Sequence, residues 1–271
     1  MAGNFYRINS KLVYGGPGRL VVAPYGTTRP TKISDIMDLA TFDLKPGWRD
    51  LGSTSDGITP KRGFKTNDVT VDQALQPIDQ SMDSWDNSLS TKLAENSVEN
   101  RQLALIGSAI EEVEPTLGTA TTLASDVTAG ATILTLTSIT GFELNTYIKV
   151  GDEIKKIALV DSVNKKITLS DVLAEAHTTA DEVAPITELG YKKISYGAPS
   201  EVPTFVMALL SQKKDGSIYC ACWYKCKVSG DDAEQNFDNN ERTIPLSVNC
   251  YTEDDLPEDS NIMIEFDQQI A

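Results

Sequence analysis

The sequence predicts a mostly β protein with one flanking α-helix and a small β domain inserted into the larger one. Three observations carry that expectation. Segments of alternating polar and apolar residues, bounded by Gly, Pro, Asn and Asp, recur from the first residues to the last. One capping-type signature, Asn96-Ser97-Val98-Glu99, opens a stretch with helical spacing. The composition changes between residues 117 and 187, where Thr, Ala and Gly dominate and charge falls, and the earlier style resumes at 188. The expected organisation is a discontinuous β domain, 1–116 with 188–271, and an inserted β domain, 117–187.

Residues 4–25 read as two strands around a Gly/Pro turn, FYRINSKLVY-GGPG-RLVVAPY. KISDIMDLA gives one or two helical turns with Ile33, Ile36, Met37 and Ala40 on one side. Residues 41–65, rich in Gly, Pro, Ser, Thr and Asp, are expected to form a long loop around a short strand at Trp48 to Leu51. In residues 68–72 the valines face one way and Asp68, Thr70 and Asp72 the other. A strand at 77–84 sets Asp79, Ser81 and Asp83 opposite Ile78 and Met82. A further strand at 85–93 turns Trp85, Leu89 and Leu93 inward and Asp86, Ser88 and Ser90 outward. These strands share a small, polar, acidic face. The helix follows, with Asn96 as its N-cap and Val98, Leu105, Ile106 and Ala109 on its covered face, and ends in Glu111, Glu112, Glu114 and Pro115.

In the insertion, hairpin turns are expected at 150–153 and 162–165. Beyond it, EVPTFVMALLSQ and SIYCACWYKCKV form a hairpin across 213–216. RTIPLSVNCY and IMIEF supply the last strands, and GDDAEQNFDNNE is an acidic loop.

Composition bounds the function. The net charge of −15 is spread over all three parts of the chain, so none offers the basic footprint that grips phosphates. No run of 18 or more apolar residues exists to span a membrane as a helix, and the N-terminus lacks the pattern of a secretory signal. Cytoplasmic synthesis and residence is the expectation. Cys220, Cys222 and Cys226 lie in an alternating run that places them on one strand face. That spacing is too wide for zinc and excludes disulfides between neighbours two residues apart, so buried small side chains are expected. His177 is the only histidine, in a stretch read as a surface turn remote from every cysteine. The glycines at 15, 16 and 18 match no phosphate-binding spacing, and Pro17 removes an amide donor. The oxygen-rich 231–241 segment lacks the EF-hand order. No catalytic residue, metal site or cofactor is expected.

Four stretches, in order, resemble the tail tube (major tail) proteins of long-tailed bacteriophages: GWRDLGSTSDGI (47–58), VDQALQPID (71–79), LAENSVENRQLAL (93–105) and ERTIPLSVNCY (241–251). The resemblance covers roughly 1–115 and 188–271. It implies a β-sandwich or split barrel flanked by a helix, homo-hexameric rings whose hairpins join around a channel, and rings stacked into a tube that conducts DNA. Asp68, Thr70, Asp72, Asp79, Ser81, Asp83, Asp86, Ser88 and Ser90 would then line an acidic lumen that repels phosphates. The 41–65 loop, with Trp48, Asp50, Asp56, Lys61 and Arg62, would reach an adjacent ring. Tape-measure, tail-tip or initiator, and tail-terminator proteins are the implied partners, with the chain in the virion tail. The insertion is similar to small β domains that decorate the outside of some tubes. A carbohydrate-binding or adhesion module of a virion or cell surface is the alternative, and would want exposed Trp or Tyr beside carboxylates.

Overall fold

The computed structural model describes residues 16–73, 75–230 and 242–269. The first expected strand, FYRINSKLVY, and the acidic 231–241 segment lie outside the described residues. Among the described residues the chain is mostly β, with one short α-helix, and it divides into two compact units: residues 1–109 with 194–271, and residues 110–193.

In chain order the first unit contains β1 (Gly18–Pro24), a 3-10 turn (Ile33–Asp35), β2 (Arg49–Asp50), β3 (Thr54–Val69), β4 (Asp79–Leu93) and α1 (Val98–Ala104). The second unit follows with β5 (Glu111–Val113), β6 (Thr116–Leu117), β7 (Thr121–Thr122), β8 (Ile133–Thr135), β9 (Tyr147–Val150), β10 (Glu153–Asp161), β11 (Lys166–Leu169), β12 (Glu182–Glu188) and β13 (Tyr191–Lys193). The chain then returns to the first unit for β14 (Thr204–Gln212), β15 (Ile218–Val228), β16 (Ile244–Cys250) and β17 (Met263–Asp267).

The first unit is one antiparallel sheet in the order β2-β1-β14-β15-β16-β4-β3, with β17 also on β15. Its central strands are buried on both faces, which explains why β14 reads TFVMALL without alternation. On one face Leu20, Val22, Phe205, Met207, Leu209, Trp223, Leu246, Val248, Leu89 and Leu93 form a core closed by Ala104 of α1. On the other, Val21, Val206, Ala208, Leu210, Cys220 and Cys222 pack against Ile33, Ile36, Met37 and Trp48 of the segment that crosses the sheet. Ala40, expected with them, is exposed because only the three-residue turn forms and the helical spacing ends with it.

The helix is shorter than its spacing suggests. Its N-cap is Ser97, whose hydroxyl accepts from the Asn100 amide, so Glu99 does not occupy the capping-box position. It stops at Ala104, Ile106 takes a positive φ of 53°, and Glu111 to Val113 go into a strand. A bulge opposite Phe205 and Met207 turns Cys226 onto the face opposite Cys220 and Cys222, correcting the single-face expectation.

The second unit closes its own core of Leu123, Leu134, Leu136, Phe142, Ile148, Val150, Ile157, Ile167, Leu173 and Val183. His177 is buried, at 6 % exposure, rather than a surface turn residue. Its Nε2 lies 3.2 Å from Glu153 Oε1 and its Nδ1 3.5 Å from Asp181, so the carboxylates hold it against the turn at Gly151. Burial raises the pKa of Glu153, but the amides of Ala174 and Glu175, with Lys155 and His177, outweigh it and hold the value at about 2. A carboxylate depressed in the fold contributes stability that is complete above its ordinary pKa and fades as pH falls through the folded value. Amide exchange across β9–β12 is therefore expected to accelerate as pH drops from about 4.5 towards 2, after correction for intrinsic exchange. Glu153→Gln is expected to remove much of that dependence; an unchanged acid profile in the variant would discard this assignment.

Candidate functional site: the long hairpin

The most unusual element is the β3–β4 hairpin. Expected as a loop followed by separate strands, it is two strands of 16 and 15 residues. Residues 54–65 are therefore strand rather than loop, because their Thr, Ile and Phe residues pair along β4 and override the turn-forming composition. Two bulges absorb the irregular spacing, one around Asp56 and Gly57, which take positive φ, and one at Asp83.

Only the base of the hairpin belongs to the sheet. β16 pairs with β4 from Ser88 to Leu93, and β3 is the last strand in the order. Among the described residues, 79–87 of β4 therefore have β3 alone beside them, an arm of about 30 Å at the usual rise per residue.

The register divides the arm into two faces. Phe64 lies across from Trp85, Thr66 from Met82 and Asp68 from Gln80. On this face the Phe64 and Trp85 rings sit 5.5 Å apart, and the Arg62 guanidinium lies 4.9 Å from the Trp85 ring centre. Phe64, Met82 and Trp85 are 61 %, 52 % and 48 % exposed. Trp85 thus shares the strand face of Leu89 and Leu93, as expected, but lies beyond the covered core. At its base Asn87 is buried with an Oδ1 that has no partner among the described residues.

The opposite face carries Thr59, Lys61, Lys65 and Asn67 of β3, with Asp79, Ser81, Ser84, Asp86, Ser88 and Ser90 of β4. The bulged Asp83 reaches it by accepting a 3.2 Å bond from Asn67. Lys61 bonds Asp86 at 2.5 Å, and at the base Lys92 pairs with Asp56 at 2.8 Å.

The structure thus brings together Asp79, Ser81, Asp83, Asp86, Ser88 and Ser90, and separates three residues expected with them. Asp68 keeps the parity of Phe64 and accepts from Gln80 on the aromatic face, while the bulge at Asp83 brings Asp79 and Ser81 round to the face of Asp86. Thr70 and Asp72 lie past the end of β3. The sequence reading also missed Lys61 and Lys65 on the polar face, since it placed both in a loop.

Of the other grouped residues, Trp48 is buried in the core and Asp50 pairs with Arg19 at 2.6 Å. With Asp56, Lys61 and Arg62 committed to the hairpin, the remaining loop exposes Phe42, and Leu39 just before it is exposed as well. Among the described residues, no group of three or more His, Cys, Asp or Glu side chains is placed to hold a metal, and no helix is long and apolar enough to cross a membrane.

A core arranged to support a two-faced arm suits assembly better than chemistry. Residues 7–132 match the family model of the phage tail tube protein. Over that span, just under half of the chain, the protein is similar to phage tail tube proteins. No curated protein matches the chain. The matched span contains the whole hairpin, α1 and three of the four stretches that carry the resemblance; ERTIPLSVNCY lies outside it. Phage tail tube proteins are structural components of the virion tail, not enzymes, and the family implies tail assembly partners.

Proposed function

We propose that this chain is a tail tube subunit that forms hexameric rings stacked on themselves, with the polar hairpin face turned to the channel and the aromatic face covered by protein. The observation that carries this reading is the free arm. A long strand edge with exposed Phe64, Met82 and Trp85 is an aggregation hazard in a lone subunit and a joining surface in an assembly. Covering Phe64 and Trp85 would contribute on the order of 1–3 kcal/mol each.

The channel wall in this proposal is Asp79, Ser81, Asp83, Asp86, Ser88 and Ser90, with Thr70 and Asp72 near the tip. Its charges are mixed, four aspartates, three on β4 and one near the tip, against Lys61 and Lys65. Because Lys61 is engaged by Asp86, the wall is suited to let DNA slide without gripping it. The loop around Leu39 and Phe42 is the proposed contact to the next ring. The inserted unit, which has its own core, is the proposed outer decoration. Tape-measure, tail-tip and terminator proteins are the proposed partners.

Exposed Trp85 beside Arg62 favours one second reading, a glycan-binding module. Negative-stain electron microscopy with and without tail tips separates the two. Wild-type protein is expected to give stacked rings or tubes, and Phe64→Asp with Trp85→Asp to remain folded but unassembled, at least tenfold down in tube yield. Tubes at wild-type yield from the double variant, or none from wild type with tips present, would overturn the arm's role; glycan-array binding in the latter case would favour the second reading.

A further inference from the structure

We propose that Cys226 and Cys250 form a disulfide that locks the seam of the first unit's sheet once the virion leaves the reducing interior of its host. The two residues lie directly across from each other on β15 and β16, with Sγ atoms 3.8 Å apart. The Tyr251 amide donates to the Lys225 carbonyl and the Ser229 amide to the Ser247 carbonyl, each at 2.8 Å. That phase makes Cys226–Cys250 a non-hydrogen-bonded pair, in which Cα atoms approach to about 4.5 Å. Disulfides span Cα separations of about 4.4–6.8 Å, so the bond closes with small side-chain rotations. Cys226 is buried, donating to the Trp223 carbonyl, while Cys250 is part-exposed and open to a reagent.

The position has leverage. β15 and β16 share only three register pairs, Cys226 to Val228 with Val248 to Cys250. β16 in turn carries β4 through six, from Ile244 to Asn249. The hairpin half of the sheet therefore hangs on a short seam, and the two thiols stand at one end of it.

The oxidant is a small disulfide such as oxidised glutathione. The Cys250 thiolate attacks one of its sulfurs and expels one glutathione thiolate, leaving a mixed disulfide. The Cys226 thiolate then attacks the Cys250 sulfur and expels the second. Two protein thiols are oxidised, one external disulfide is reduced to two thiols, and the two thiol protons end on the leaving groups. The Cys250 contact and then burial raise the Cys226 pKa, so the second step is slow. Virion surfaces meet oxidising surroundings, whereas cytosol keeps thiols reduced, which sets the timing.

The test uses the purified full chain, oxidised glutathione, and peptide mapping after alkylation without reductant. A linked Cys226–Cys250 peptide is expected, absent in Cys250→Ser, with Cys220 and Cys222 unlinked. Oxidation should raise the melting midpoint by roughly 5–10 °C, reversibly with reductant and only in the wild type. Alkylatable Cys226 and Cys250 in oxidised, folded protein, or a glutathione adduct on Cys250 alone, would overturn the site. Virions purified without reductant should contain the linked peptide; free thiols there would overturn the timing. Mapping isolated subunits reads the bond whether or not they build tubes, so its failure is distinct from failure of the ring proposal.

Discussion

Replacing Asp79, Asp83 and Asp86 together by lysine is expected to leave the subunit folded and tubes intact, while infectivity falls by at least about a hundredfold. All three side chains are exposed on the arm, so folding has little at stake in them. Each exchange moves the proposed wall by two charge units per copy and, at Asp86, also releases Lys61 from its partner. Rings repeat that change around the channel and along it. A surface that had no net basic character would then meet every passing phosphate with ammonium groups, and cooperative phosphate contacts of that kind bind DNA strongly in a salt-dependent way. The measurement is DNA release from triggered virions together with plating efficiency. Retarded release that recovers with added salt is the expected signature. Normal release from particles carrying all three lysines would remove these aspartates from the channel. Asp68→Lys serves as an internal contrast, since that residue sits with Gln80 on the other face.

The contrast between Asp68 and Asp79 shows where the sequence stops being legible. Alternation placed Asp79 and Ser81 with Asp86, Ser88 and Ser90 on one face, and the strand register agrees. What alternation cannot encode is a bulge, because the extra residue at Asp83 leaves no compositional trace. The extra residue in β4 brings Asp79 and Ser81 round to the face of Asp86, while Asp68 keeps the parity of Phe64 on β3 and stays on the aromatic side. The same mechanism misassigned Cys226, turned by a bulge away from Cys220 and Cys222. Its partner Cys250 was invisible for another reason: contact between residues distant in sequence depends on register, not spacing. The loop expected at 41–65 failed through composition. Gly57, Pro60 and Gly63 read as turn residues, yet on the sheet's last strand the missing amide of Pro60 costs little. Long apolar runs such as TFVMALL were legible because burial on both faces demands them.

The second large effect is expected far from either face, at Asn100. This side chain is 2 % exposed and fully used: Nδ2 donates to the Leu51 carbonyl at 2.8 Å and to the Glu95 carbonyl at 2.9 Å, and Oδ1 accepts from Arg49 at 2.8 Å. Burial pushes the Arg49 guanidinium down from its ordinary pKa, so its hydrogen-bond acceptors matter to its charge. Around it the Ala94 amide donates to Ser53, and Glu95 accepts from the amide and hydroxyl of Ser53. These bonds tie the chain entering β3 to the chain leaving β4, so the base of the hairpin is clamped by α1. Asn100→Ala strands two carbonyls and a partly buried cation, and each unmade bond costs about 1–3 kcal/mol. With partial relaxation, a loss of about 2–4 kcal/mol follows, or a fall of roughly 5–10 °C in melting midpoint. A purely local loss would leave tube formation unchanged below the new midpoint. A clamp that sets the angle of the arm predicts more: at temperatures where the variant is still folded by circular dichroism, its tubes should form more slowly than those of wild type. Equal assembly rates would confine Asn100 to stability and leave the angle of the arm to the strand pairing between β4 and β16.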